Sequence, residues 1–144
     1  MRSPREQRQL WRWMAPATAI LAMLAGCGLG ANDDSAPLTL LDNFHAIEVG
    51  KAYRSAQLDA ASFQLAIDTY GIKTIINLRG ANPGVGWYDA ETAVARENNV
   101  AHVDIRMSAS HLPTRAELLK LYDTFRNAEY PILIHCKGGA DRTG

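Results

Sequence analysis

The sequence predicts an α/β fold, a mostly parallel sheet flanked by helices, and three observations carry that expectation. From about residue 41, short apolar runs with β-branched residues alternate with longer amphipathic stretches. Gly- and Pro-containing segments punctuate the alternation. A composition of 47% hydrophobic and 21% charged residues in 144, with 11 Gly and 6 Pro, suits one small globular domain and excludes a disordered or collagen-like chain.

The elements follow in order. His45 to Val49 and Ala52 to Ser55 flank Gly50-Lys51 and read as a hairpin or a pair of edge strands. Asp59 caps a helix running to about Tyr70, with Phe63, Leu65, Ala66 and Ile67 as its apolar contacts and Gly71 as its end. Lys73 to Leu78 is a buried strand, and the Gly/Pro-rich loop 79–86 leads into a second helix over about Trp87 to Asn98. Ala101 to Arg106 is the next strand. Thr114-Arg-Ala-Glu117 fits a capping box, so a third helix starts there, with Leu118, Leu119, Leu121, Tyr122 and Phe125 expected as its buried stripe. Pro131 to His135 is the last strand. No internal repeat and no low-complexity segment interrupts this order.

Charge and cysteine usage exclude several functions. Fifteen basic residues balance fifteen acidic ones, but four of the basic and one of the acidic residues precede Cys27, so the remainder carries a formal −3. No basic field argues for nucleic acid, although a local anion site is compatible with that balance. Cys27 and Cys136, the two cysteines, make neither a disulfide scaffold nor a Cys-type zinc site. His45, His102, His111 and His135 show no close ligand spacing, so no metal is expected.

The first residues read as an address. Residues 1–13 carry four arginines against one glutamate, and the apolar run that follows, MAPATAILAMLAG, is too short to span a bilayer. Residues 1–26 therefore read as a secretory signal peptide, in preference to a retained anchor or a greasy cytoplasmic start. Leu24-Ala25-Gly26-Cys27 resembles the bacterial lipobox, which implies lipidation of Cys27 and an exported, membrane-anchored lipoprotein of the envelope. Gly28 after the cysteine implies the outer membrane rather than the inner one. Residues 27–40 read as a flexible tether, and the domain is expected over 41–144.

The chemistry concentrates in His135-Cys-Lys-Gly-Gly-Ala-Asp-Arg-Thr-Gly144. A Gly-rich turn after a strand lets successive backbone N–H groups point inward and cradle a tetrahedral oxyanion. Arg142, separated from Cys136 by five residues, can bind two of its oxygens. The same field stabilises a thiolate, so Cys136 is a candidate nucleophile and the loop Lys137, Gly138, Gly139, Ala140, Asp141 and Arg142 a candidate anion site. A buried structural thiol and a rhodanese-type sulfurtransferase loop are the competing readings of Cys136.

These residues resemble the signature of the cysteine-dependent protein tyrosine and dual-specificity phosphatases, in the Cys-Lys-x-Gly-x-Asp-Arg-Thr-Gly variant of bacterial and plant atypical dual-specificity phosphatases and some phosphoinositide phosphatases. The likeness extends back through Tyr53-Arg-Ser-Ala-Gln57, Gly71 to Arg79, and Trp87 with Glu91, covering roughly residues 45–144. It implies in-line attack by Cys136 on phosphorus, Arg142 and loop amides on the equatorial oxygens, and a phosphocysteine intermediate whose hydrolysis Thr143 assists. No metal or other cofactor is implied. His135 orders the loop and tunes the thiolate, and Lys137 favours highly anionic substrates. Substrates are then phosphorylated proteins or phosphoinositide-like molecules, for a monomeric enzyme.

The general acid is open at this level. Asp104 has suitable spacing from Cys136 but falls inside a strand, and the loop Met107 to Pro113 contains no acid. Asp141 is the equal alternative, with His111 third. Arg54 and Arg79 read as structural or rim residues, and Trp87 and Tyr88 as packing at a helix start. Relatives continue with helices beyond this loop, so the domain is expected to be incomplete after Gly144, with a frayed helix behind the motif. That incompleteness supports a second hypothesis from another class, an inactive lipoprotein that binds phosphorylated ligands or envelope partners.

Overall fold

The computed structural model describes residues 41–144; the expected signal peptide over 1–26, the expected tether over 27–40 and Cys27 lie outside the described residues. Five strands form one sheet in the order β1-β2-β5-β3-β4, with β1 His45–Glu48, β2 Ala52–Ser55, β3 Thr74–Asn77, β4 Ala101–Asp104 and β5 Ile132–His135. Only the β1–β2 pair is antiparallel; β2–β5, β5–β3 and β3–β4 are parallel. The expected hairpin is therefore present, closed by Lys51 N–H on the Glu48 carbonyl at 3.0 Å with Gly50 at φ 75°.

Three helices connect the parallel strands: α1 Ala60–Tyr70, α2 Gly86–Glu97 and α3 Arg115–Asn127. Asp59 accepts from the Ser62 N–H at 2.7 Å and Gly71 adopts φ 64°, which starts and ends α1 as the sequence indicates. Thr114 and Glu117 form the reciprocal capping box of α3. The α2 N-cap, Val85, has no side-chain oxygen to offer, and Asp89 in the first turn instead accepts from the Gly84 N–H at 3.0 Å.

Strand periodicity divides the interior into two layers. Tyr53, Ile75 and Leu133 point to the face covered by α1 and α2, where they pack with Phe63, Ala66, Ile67, Val94 and Ala95. Ile76, Ile132 and Ile134 point the other way, onto Leu78, Ile105, Met107 and the partly buried Leu121 and Phe125 of α3.

On α3 the expected stripe is corrected. No residue of the helix is fully buried, and Leu118, Leu119 and Tyr122 are 50%, 51% and 56% exposed. Leu121 and Phe125 alone of the five dock against the sheet layer. The 3.6-residue period marks the apolar face correctly, but burial needs an opposing element, and none covers this side among the described residues. A cleft of about 380 Å³ lies beside it, lined by Ile47, Leu121, Phe125, Ile132 and Ile134 and reaching Arg142 and Thr143. No helix among the described residues is long and apolar enough to cross a membrane.

Candidate active site

The parallel strands bring their C-terminal ends into one row. Ser55 and Asn77 both pair with His135, and Asn77 pairs with Asp104, so β2, β5, β3 and β4 end side by side. Ligand sites in open parallel sheets form at this edge. Asp104 is the last residue of β4, not an interior one: regular pairing stops there, earlier than the expected Arg106.

Cys136 directly follows β5 and is 1% exposed. The loop after it is held from outside through its carbonyls. The Gln57 N–H donates to the Lys137 carbonyl at 3.2 Å, the Asn43 amide to the Gly138 carbonyl at 2.7 Å, and the Arg54 guanidinium to the Gly139 carbonyl. With its carbonyls tied outward, the loop turns its N–H groups inward, and the Gly139 N–H reaches the Cys136 sulfur at 3.2 Å. Gly139 sits at φ 70°, and a Cβ there would come within 2.5 Å of the Ala56 nitrogen. Only glycine lets the loop approach β2 this closely.

Two effects compete on the thiol. Burial raises its pKa, while the backbone N–H groups of Arg142, Gly139, Ala140 and Gly138 stabilise the thiolate, and the donors win, leaving Cys136 below the ordinary 9.0. Residues 141–143 form a turn, closed by the Gly144 N–H on the Ala140 carbonyl at 2.7 Å. The Arg142 Nε and Thr143 Oγ1 atoms are buried without a protein hydrogen-bond partner. Lys137 and Asp141 are exposed on the same loop.

The two expected proton donors differ. Asp104 is half-buried, and its oxygens accept from the Asn77 amide at 2.8 Å and the Tyr88 hydroxyl at 2.6 Å. The Tyr88 hydroxyl is pushed up to about 12 by that bond, by burial and by the neighbouring carboxylates. Two strand spacings, ~10 Å of backbone, separate Asp104 from His135. His111 lies exposed in the segment before α3.

Behind the loop lies a polar cluster that sequence reasoning largely missed. Glu91 of α2 is fully buried, and its Oε1 faces both His135 Nε2 at 2.8 Å and His102 Nε2 at 2.7 Å. Its Oε2 accepts from the Gln57 amide at 2.8 Å. Burial opposes ionisation, but the bonds from His102, His135 and Gln57 hold the Glu91 carboxyl down at about 2. Gln57 Oε1 in turn accepts from Arg79 at 2.7 Å, and the Arg79 guanidinium stacks 3.5 Å from the Trp87 ring centroid. A glutamate among the polar positions of an amphipathic helix gives no sign that it turns inward; Gln57 two residues before a helix cap gives equally little.

The comparisons with known proteins agree with this geometry. A family model described as a DSP-PTPase phosphatase fused to NAD+ kinase matches residues 42–144. The chain belongs to this family. It thereby falls among the cysteine-dependent atypical dual-specificity phosphatases. The core catalytic domain of the PP-IP phosphatase Siw14 from S. cerevisiae, in complex with citrate, shares the fold at TM-score 0.57 and 24% identity, with 69% of this chain and 58% of that one aligned. TpbA from P. aeruginosa aligns at TM-score 0.56 and 25% identity over 71% of this chain and 58% of its own. The chain thus spans less than two thirds of the length of both relatives. No curated protein sequence matches it at a significant level.

Proposed function

We propose that this chain carries the site of a phosphomonoester hydrolase that uses the Cys136 thiolate as its nucleophile. The observation that supports this most is the loop geometry at the sulfur: the carbonyls of residues 137–139 are tied to Gln57, Asn43 and Arg54, and the Gly139 N–H reaches Cys136 Sγ at 3.2 Å, in keeping with a thiol held below its ordinary range. Cys136 Sγ attacks phosphorus, the P–O bond to the leaving group breaks, and a phosphocysteine forms. Arg142 and the amides of residues 137–142 hold the three non-bridging oxygens. Water then attacks phosphorus, the S–P bond breaks, and Thr143 stabilises the returning thiolate. His135 positions the loop from beneath.

The leaving oxygen needs a proton. Asp104 spends its oxygens on Asn77 and Tyr88, whereas Asp141 is exposed on the loop itself, so we assign the proton to Asp141. Substrates of two kinds fit an open anion cradle with Lys137 on its rim. Siw14 is a PP-IP phosphatase, and TpbA has been solved as a Cys-to-Ser variant with phosphotyrosine. By this likeness the substrate here is an inositol-phosphate-like molecule or a phosphoprotein. The leader at 1–26 and the lipobox-like Cys27 support an envelope lipoprotein.

Hydrolysis of p-nitrophenyl phosphate by residues 28–144 tests the assignment. Activity that is abolished by Cys136→Ser, blocked by vanadate and indifferent to EDTA is the expected result. Turnover that survives Cys136→Ser, or that EDTA removes, contradicts it.

A further inference from the structure

The buried cluster behind the loop is directional, and the direction is set at its two ends. A guanidinium can only donate, so Arg79 forces the Gln57 amide to present its oxygen to Arg79 and its nitrogen to Glu91. Glu91 is ionised and can only accept, so His135 and His102 both present an N–H at Nε2. Donors meet the carboxylate from three sides, and every position in the chain from Arg79 to His135 has one allowed polarity.

The two termini of the chain matter to chemistry. His135 is the residue before Cys136. Arg79 is held by Gln57 and by the Trp87 ring, its backbone N–H donates to Asn77 at 2.9 Å, and its charge interacts with those of Cys136 and Arg142. The N–H of Leu78, the residue before Arg79, donates to the His135 carbonyl at 2.9 Å, so Arg79 leaves β3 beside the residue that precedes Cys136. Gln57 also reaches the loop directly, through its N–H on the Lys137 carbonyl.

We propose that Glu91 is a positioning residue that, through the one-way chain Arg79→Gln57→Glu91←His135, fixes the Arg79 guanidinium as a second anion-binding group of the Cys136 site. The proposal rests on the anion-site reading of the loop, and it adds Glu91, Gln57 and Arg79 to the residues that set affinity for the phosphoryl group. Neither Glu91 nor Gln57 touches the substrate.

Glu91→Gln keeps the volume but places an amide N–H₂ against a donor. Gln57→Glu alone sets two carboxylates face to face. The double substitution reverses the bond between 57 and 91 and keeps the direction of those from Arg79 and the histidines: the carboxylate at 57 accepts from Arg79 and from the amide at 91, whose oxygen still accepts from the two histidines. Two readouts serve, kcat and KM for p-nitrophenyl phosphate, and the concentration of inorganic phosphate that half-protects Cys136 from iodoacetamide.

Each single substitution is expected to raise KM and the half-protecting phosphate concentration roughly tenfold, with kcat less affected, as one charged buried hydrogen bond is lost. The double substitution is expected to return both to within about threefold of the unmodified chain. A Glu91→Gln chain that behaves as the unmodified one, or a double variant no better than the worse single, overturns the proposal. Should the single variants fail to fold, a folded double variant supports it and an unfolded one overturns it. Phosphate protection without hydrolysis in the unmodified chain removes the phosphatase assignment and leaves the relay to be judged on protection alone; absence of both removes the two together.

Discussion

The two layers on either side of the sheet are built from similar strand residues and end in different states. On the α1–α2 side, a closed apolar layer surrounds a fully satisfied carboxylate, Glu91, whose partners come from β2's exit, β4 and β5. On the α3 side, the strand residues are equally buried, but the helix above them leaves Leu118, Leu119 and Tyr122 half exposed. The first layer holds its polar atoms by directed bonds and supports the loop after β5. The second contributes apolar contact from Leu121 and Phe125 and little else. The Glu91 cluster behind the Cys136 loop belongs to the first layer, and substitution should separate the two.

The largest effect is expected at the loop that the first layer supports. Gly139→Ala places a Cβ 2.5 Å from the Ala56 nitrogen at a backbone φ of 70°, so the loop must leave β2. A loss of about 3 kcal/mol in urea unfolding, with loss of phosphate protection at Cys136, is the expected outcome. Wild-type stability and protection would show that the loop has another way to turn.

Acid should act next, and through the same layer. The Glu91 carboxyl titrates at about 2 in the folded chain against an ordinary 4.5, so its stabilisation is complete above 4.5 and is lost as pH falls toward 2. The linkage amounts to roughly 3 kcal/mol across that window. Urea titrations between pH 5 and 2 should show this fall, flattened in Glu91→Gln; an equally steep fall in that variant would place the titrating group elsewhere.

The α3 side should be the more tolerant. Phe125→Ala, at a partly buried contact, is expected to cost about 2 kcal/mol, whereas Leu119→Lys at an exposed site should fall within about 0.5 kcal/mol. A large loss at Leu119 would mean that this face has a partner.

Much of this was legible in the sequence, for reasons that differ by element. Asp59, Gly71 and the Thr114–Glu117 pair mark helix ends by local chemistry, and local chemistry survives folding. The spacing of Cys136 and Arg142 around two glycines marks the loop in the same way. The α3 stripe departs from expectation because periodicity identifies a face and not its cover. The Glu91 cluster was illegible because its members stand at 57, 79, 91, 102 and 135, and only the sheet order β2-β5-β3-β4 brings them together. Asn43, which holds the Gly138 carbonyl, was hidden for the same reason, whereas Arg54, which holds the Gly139 carbonyl, is among the residues that the sequence marks as structural or rim.

The inward N–H groups overcome burial at Cys136, and the pH dependence of its alkylation tests this most directly. Iodoacetamide modification of residues 28–144, followed by mass spectrometry at Cys136, should give a midpoint below 9.0. A midpoint at or above 9.0 would mean that burial dominates, and that Cys136 is a structural thiol in a loop that does not activate it.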